Sequence, residues 1–227
     1  MTTPDRTYLL VPGAGGSAWY WHRLVPELRR RGHEAIAVEL PAADDRAGLR
    51  EYADTIVAAA GDHERLVLVA QSMGGLSAPL ACDRLEVTEL ILVNAMIPAP
   101  GETGGDWWTV TGQEQARRAL DEREGRAPDA PFDPRVMFFH DVPAEVTEAA
   151  MAVETPQSGT PFGEPWPLDA WPAVPTRVLS GEQDRLFPAA FQARIARQRL
   201  GITAEPVPGG HLVALSRPAE LAARLTG

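Results

Sequence analysis

A chain of 227 residues suits one α/β domain, and a chain of this size buries roughly 70% of its extended surface, so core size is no obstacle. Its formal charge of −10, from 31 acidic and 21 basic residues, argues against a nucleic-acid groove or an anionic membrane surface. Lysine is absent and Cys82 is the single cysteine, which excludes lysine Schiff-base chemistry, a P-loop lysine, an internal disulfide and a multi-cysteine zinc site.

Residues Met1 to Arg6 run straight into a strand with no charged-then-apolar leader, and no apolar run approaches the length of a membrane span. A soluble cytoplasmic protein is expected. Thr7 to Val11 reads as a short buried strand, and Pro12 to Ser17 as the glycine-rich loop leaving it. A dinucleotide fingerprint fits this loop poorly, because position 18 is alanine and Glu39 is the only acid placed to hold a ribose. The competing reading gives the loop a backbone N–H for a developing oxyanion, with Ala14 as the donor.

Trp19 to Arg31 carries apolar residues at Trp21, Leu24, Val25 and Leu28, a helical face closed by Gly32. Glu34 to Leu40 is the next strand, Asp44 to Gly48 a polar connection, and Leu49 to Ala60 a helix ending at Gly61. Leu66 to Ala70 is a continuous apolar run, as expected for a strand buried on both faces of a parallel sheet. Small residues and a helix-like stretch follow it. Ser72 sits on that strand-to-helix turn in the pattern Ala70-Gln71-Ser72-Met73-Gly74, a nucleophile-elbow signature whose first glycine is alanine. Gly74 and Gly75 supply the room the turn needs. Glu89 to Val93 is a fourth strand, and the alternation implies right-handed crossovers and a parallel sheet.

From Asn94 to about Pro175 the strand signals vanish, while helical patches lie near Gln113 to Arg123 and Ala144 to Val153. This stretch reads as an inserted lid with Trp107, Trp108, Phe132, Met137, Phe138, Phe139 and Trp166 available to line a pocket or to pack it onto the body. The sheet resumes at Thr176 to Ser180, followed by a helix from Pro188 to Leu200, a last strand from Ala204 to Val207 and a closing helix from Pro218 to Leu225.

In open parallel sheets, ligand and catalytic groups gather at the carboxyl ends of the strands. Ser72, Asp184 and His211 all fall at such ends, in the chain order serine, acid, histidine. His211 is the candidate base, Asp184 its orienting acid with Glu182 or Asp141 as substitutes, and Ala14 and Met73 the oxyanion donors. His22, His33, His63 and His140 fit the role less well. No cofactor or metal is called for.

Leu10 to Gly15 with Trp19-Tyr20-Trp21, Ala70 to Gly75, and Pro208-Gly209-Gly210-His211 leading to Leu215-Ser216-Arg217-Pro218 together resemble the α/β-hydrolase superfamily over nearly the whole chain. More narrowly, the chain resembles the plant methylesterase and hydroxynitrile-lyase branch and its bacterial relatives. The resemblance implies the α/β-hydrolase fold, a mostly parallel twisted sheet flanked by helices with a small helical lid inserted after the fourth strand. The body would be residues 1–93 and 176–227, and the lid 94–175. It also implies the triad Ser72, Asp184 and His211. The family usually has histidine where Pro12 stands, so the oxyanion loop would be braced differently here.

The lyases place a lysine directly after the catalytic histidine, where this chain has Leu212, so ester hydrolysis is expected rather than cyanide elimination. The expected reaction is cleavage of small, largely apolar carboxylic esters through an acyl-enzyme, with Trp108, Phe139 and Leu212 lining the substrate pocket. A lactonase, thioesterase or C–C bond hydrolase on the same fold, or a non-catalytic ligand-binding homologue, stays open at this point.

Overall fold

The computed structural model describes residues 6–153 and 156–227. Residues 1–5, where the leaderless start was read, and residues 154 and 155 of the expected lid lie outside the described residues.

Six strands form one sheet: β1 (Thr7–Val11), β2 (Glu34–Ala37), β3 (Leu66–Gln71), β4 (Val87–Val93), β5 (Thr176–Gly181) and β6 (Glu205–Val207). Their spatial order is β2-β1-β3-β4-β5-β6 and every pairing is parallel. The chain runs outward from β1 to β2, then returns to the other side of β1 as β3, which puts a topological switch point between β1 and β3. Crevices for ligands open at such points, beyond the strand carboxyl ends.

Both faces of the sheet are buried at its centre, which is why β1 and β3 read as nearly unbroken apolar runs. Leu9, Leu66, Leu68, Ala70, Leu90 and Leu92 pack on one face. Tyr8, Leu10, Val67, Val69, Ile91 and Val93 pack on the other. The first face is covered by α2 (Leu49–Ala60) and α9 (Ala189–Leu200), through Tyr52, Ile56, Phe191 and Ile195. The second is covered by α1 (Leu24–Arg30) and α11 (Pro218–Thr226), through Leu24, Leu28, Leu221 and Leu225. Cys82 is free and buried among the first group, and burial pushes its thiol up to about 12.

The remaining helices are short. They are α3 (Gly74–Ser77) behind β3, then α4 (Gly104–Val110), α5 (Gln113–Arg123), α6 (Pro134–Met137), α7 (Ala144–Met151) and α8 (Thr160–Gly163) between β4 and β5, and α10 (Val213–Ser216) after β6. Among the described residues no helix is long and apolar enough to cross a membrane.

Two expectations change. The helix expected over Trp19 to Arg31 is a 3₁₀ turn, Ala18–Trp21, followed by α1 from Leu24. Pro26 has no N–H to donate and its ring crowds the carbonyl four residues back, so it sits in the first turn of a new helix rather than inside a continuous one. Behind Ser72, Pro79 has the same effect: α3 gives way to a 3₁₀ turn over Ala78–Ala81.

Candidate active site

Three strands, β3, β5 and β6, and the β1 loop deliver the expected groups to one edge of the sheet. Ser72 follows β3 with φ of 51°, a left-handed conformation that a non-glycine residue adopts only when its surroundings hold it there. Those surroundings are tight. A Cβ on Gly74 would stand 2.7 Å from the Pro12 carbonyl oxygen, and one on Gly75 would stand 2.0 Å from that of Met96. The Ser72 carbonyl accepts from Met96 N–H at 2.9 Å, tying the turn to the start of the inserted segment. The alanine at position 70 pairs in register with Val11 on one side and Leu92 on the other, so its methyl is absorbed within the sheet.

His211 Nε2 lies 3.0 Å from Ser72 Oγ, and its Nδ1 lies 2.8 Å from Asp184 Oδ2. A carboxylate only accepts, so the Nδ1–H donates to Asp184 and Nε2 is free to accept from the serine hydroxyl. Asp184 is 1% exposed and His211 2% exposed. A carboxylate that deep needs donors, and Oδ1 receives two, the N–H groups of Leu186 at 2.9 Å and Phe187 at 2.8 Å. Phe138 and Phe187 flank the imidazole, with ring centroids 5.3 and 5.1 Å away. The two substitute acids lie elsewhere: Glu182 is exposed, and Asp141 accepts from the Gly210 N–H at 2.7 Å.

Ala14 is exposed beside Ser72 at the rim of the site, and Met73 is buried directly behind it. Among the described residues the N–H groups of Ala14 and Met73 donate to no other backbone group. The neighbouring Gly15 N–H donates to Gln157 Oε1 at 2.9 Å, and Gln157 in turn donates to the Tyr52 hydroxyl at 3.1 Å. This carboxamide from the inserted segment braces the loop that carries Pro12.

Asn94 is the residue that sequence reading passed over. It closes β4 with φ of 46° and is wholly buried. Its Nδ2 donates to the carbonyls of Gly210 at 3.0 Å and His211 at 3.1 Å, while its Oδ1 accepts from Gly181 N–H at 2.6 Å. One side chain thus clamps the loop bearing the acid to the loop bearing the histidine. Gln192 adds a second link, donating to Asp184 Oδ2 and to Asn94 Oδ1. The only signal was an amide directly after an apolar strand, and its partners lie far away along the chain.

Among the described residues, two cavities of note reach Ser72. One, about 390 Å³, is lined by His211, Phe138, Phe139, Met151 and Leu212. The other, about 350 Å³, is lined by Met73, Trp108, Phe162, Leu186, Gln113 and Arg117. Trp108, Phe139 and Leu212 therefore stand at cavities beside the serine. Trp107 and Trp166 do not. Each is 1% exposed; Trp166 ties the segment between β4 and β5 to the rest of the chain by its indole N–H bond to the Leu76 carbonyl, while Trp107 donates to the Ile97 carbonyl and packs on Phe187 and Phe191. Met137 is likewise buried away from both cavities.

A family model described as the alpha/beta hydrolase family matches residues 8–224. The probable esterase PIR7A of Oryza sativa subsp. indica is 39% identical over 130 residues, covering 52% of this chain and 48% of that protein. Methyl jasmonate esterase 1 of Vitis vinifera is 31% identical over 114 residues, 44% of this chain and 43% of that one. The chain spans about half the length of these curated relatives. The crystal structure of polyneuridine aldehyde esterase matches at a TM-score of 0.76 and 22% identity, covering 97% of this chain and 98% of that one. With the sheet order, the strained serine turn and a family match across almost its whole length, the chain belongs to the α/β-hydrolase family.

Proposed function

We propose that this chain is a serine hydrolase that cleaves carboxylic esters of small, largely apolar substrates. The observation that carries the reading is the unbroken line from Ser72 Oγ through the His211 ring to Asp184, at 3.0 and 2.8 Å. The esterase names of the relatives support the choice of bond.

In this reading Ser72 Oγ attacks the ester carbonyl carbon as His211 Nε2 removes its proton. The carbonyl electrons move to oxygen, where the N–H groups of Ala14 and Met73 hold the charge; losing one such donor costs about 3 kcal/mol in the barrier. His211 returns the proton to the departing alkoxide, leaving an acyl-Ser72. Water then repeats the cycle, giving His211 a proton and releasing the acid. Asp184 steadies the imidazolium without taking its proton. The body of residues 1–93 and 176–227 carries the reacting groups, and the 94–175 segment acts as a lid that walls the cavities. Lactones, thioesters and activated C–C bonds would draw on the same three groups, so a substrate panel separates those readings.

The test is hydrolysis of p-nitrophenyl acetate and butyrate by the protein and by Ser72→Ala, with fluorophosphonate labelling alongside. Activity and labelling that both vanish in the variant support the reading. Equal rates in the two proteins, or no labelling of the unaltered chain, would overturn it.

A further inference from the structure

The two cavities at Ser72 are chemically unlike, and the proton path tells which half of an ester each receives. This inference rests on the hydrolase reading above. The leaving oxygen must take its proton from His211 Nε2, so the alcohol half lies in the cavity that His211 lines, with Phe139 and Leu212. The acyl half is left with the other cavity, which includes Met73 and not His211.

That acyl cavity has an aromatic and aliphatic wall from Trp108, Phe162 and Leu186, yet it also contains Arg117 and Gln113. Placing a guanidinium against apolar walls is costly unless something recovers the loss. Arg117 Nη1 donates to Asp121 Oδ2 at 2.7 Å, and its side chain is 18% exposed. Asp121, itself 1% exposed, also accepts from Arg126 Nε at 2.8 Å. Arg126 also pairs with Glu124, so two carboxylates face the two guanidiniums, and Arg117 Nη2 donates to the Pro128 carbonyl at 3.4 Å. What Arg117 offers the cavity is its Nε–H, which has no protein partner among the described residues. Gln113 is held in the same wall by its bond to the Leu186 carbonyl at 2.5 Å. A substrate with a plain alkyl acid half would leave this polar corner unused.

We propose that Arg117 recognises a second carboxylate on the acid half, so that the preferred substrates are hemiesters of short dicarboxylic acids with an apolar alcohol. A guanidinium and a carboxylate form paired, charge-assisted hydrogen bonds, stronger than neutral ones. The bland alternative is that Arg117 only staples α5 by its pairing with Asp121 four residues on.

The experiment compares kcat/KM for monoethyl glutarate and ethyl pentanoate, two esters of equal acyl length, followed by acid release. The protein should favour the hemiester by about tenfold or more, largely through KM, as expected for a hydrogen bond to a charged group. Arg117→Met should abolish the preference, Arg117→Lys should keep part of it, and 0.5 M salt should shrink it in the unaltered protein by screening. Equal rates for the two esters, or a preference that survives Arg117→Met, overturns the proposal. If neither variant folds, a salt-independent preference overturns it just as well. Turnover of ethyl pentanoate alone defeats the carboxylate site while leaving the ester reading intact; no turnover of either, with Ser72 unlabelled by fluorophosphonate, defeats both.

Discussion

Asn94→Ala removes the clamp between the acid loop and the histidine loop, and its cost can be worked from the contacts. The Gly181 N–H and the Gly210 carbonyl each lose a buried partner, at about 1–3 kcal/mol apiece, whereas the His211 carbonyl keeps the Gln71 amide at 3.3 Å. Alanine at φ of 46° adds about 1–2 kcal/mol of backbone strain that asparagine tolerates better. The total is about 3–8 kcal/mol, a large part of the roughly 5–15 kcal/mol that holds a domain folded. Asn94→Gly removes the same hydrogen bonds without the strain, so it should recover about 1 kcal/mol relative to alanine. Urea unfolding followed by tryptophan fluorescence measures both variants. Because Asn94 acts through the placement of His211, kcat for a simple ester should fall in both while KM moves little. A loss below about 1 kcal/mol together with an unchanged kcat would refute the clamp.

Three further outcomes are expected. Gly75→Ala drives a methyl onto the Met96 carbonyl oxygen, 2.0 Å away, and should lower stability by about 3 kcal/mol or more on the same urea assay, since backbone cannot step aside. Gln157→Leu frees the Gly15 N–H and the Tyr52 hydroxyl and loosens the loop carrying Ala14; kcat for p-nitrophenyl butyrate should drop several-fold with fluorophosphonate still labelling Ser72. His140 has its pKa lowered by burial and by Arg185 nearby, with Asp141 and Asp184 opposing, and among the described residues its Nε2 has no partner. The unfolded chain therefore binds this proton more readily, and stability should fall as pH drops below about 6.5. His140→Gln should flatten that fall when denaturant midpoints at pH 5.5 and 7.5 are compared, and an unchanged slope would show that His140 does not drive it.

The amino-acid sequence by itself determined the local elements and the order of the candidate groups. A strand buried on both faces must be apolar throughout, which made Leu66 to Ala70 legible, and helices with one buried face repeat with helical spacing, which made Leu49 to Ala60 and Gln113 to Arg123 legible. The positions of Ser72, Asp184 and His211 after β3, β5 and β6 followed from the same local signals. Tertiary structure alone decided what surrounds them. Asn94 and Gln157 act on backbone more than 80 residues away, so nothing near them in the chain announces the bond. Apolar aromatics look alike in sequence, and only packing separated Trp107, locked against the body, from Trp108 at the cavity. Periodicity reports burial, which is a property of a segment; a clamp or a cavity wall depends on which distant segments meet, and that is fixed only when the sheet closes around its switch point.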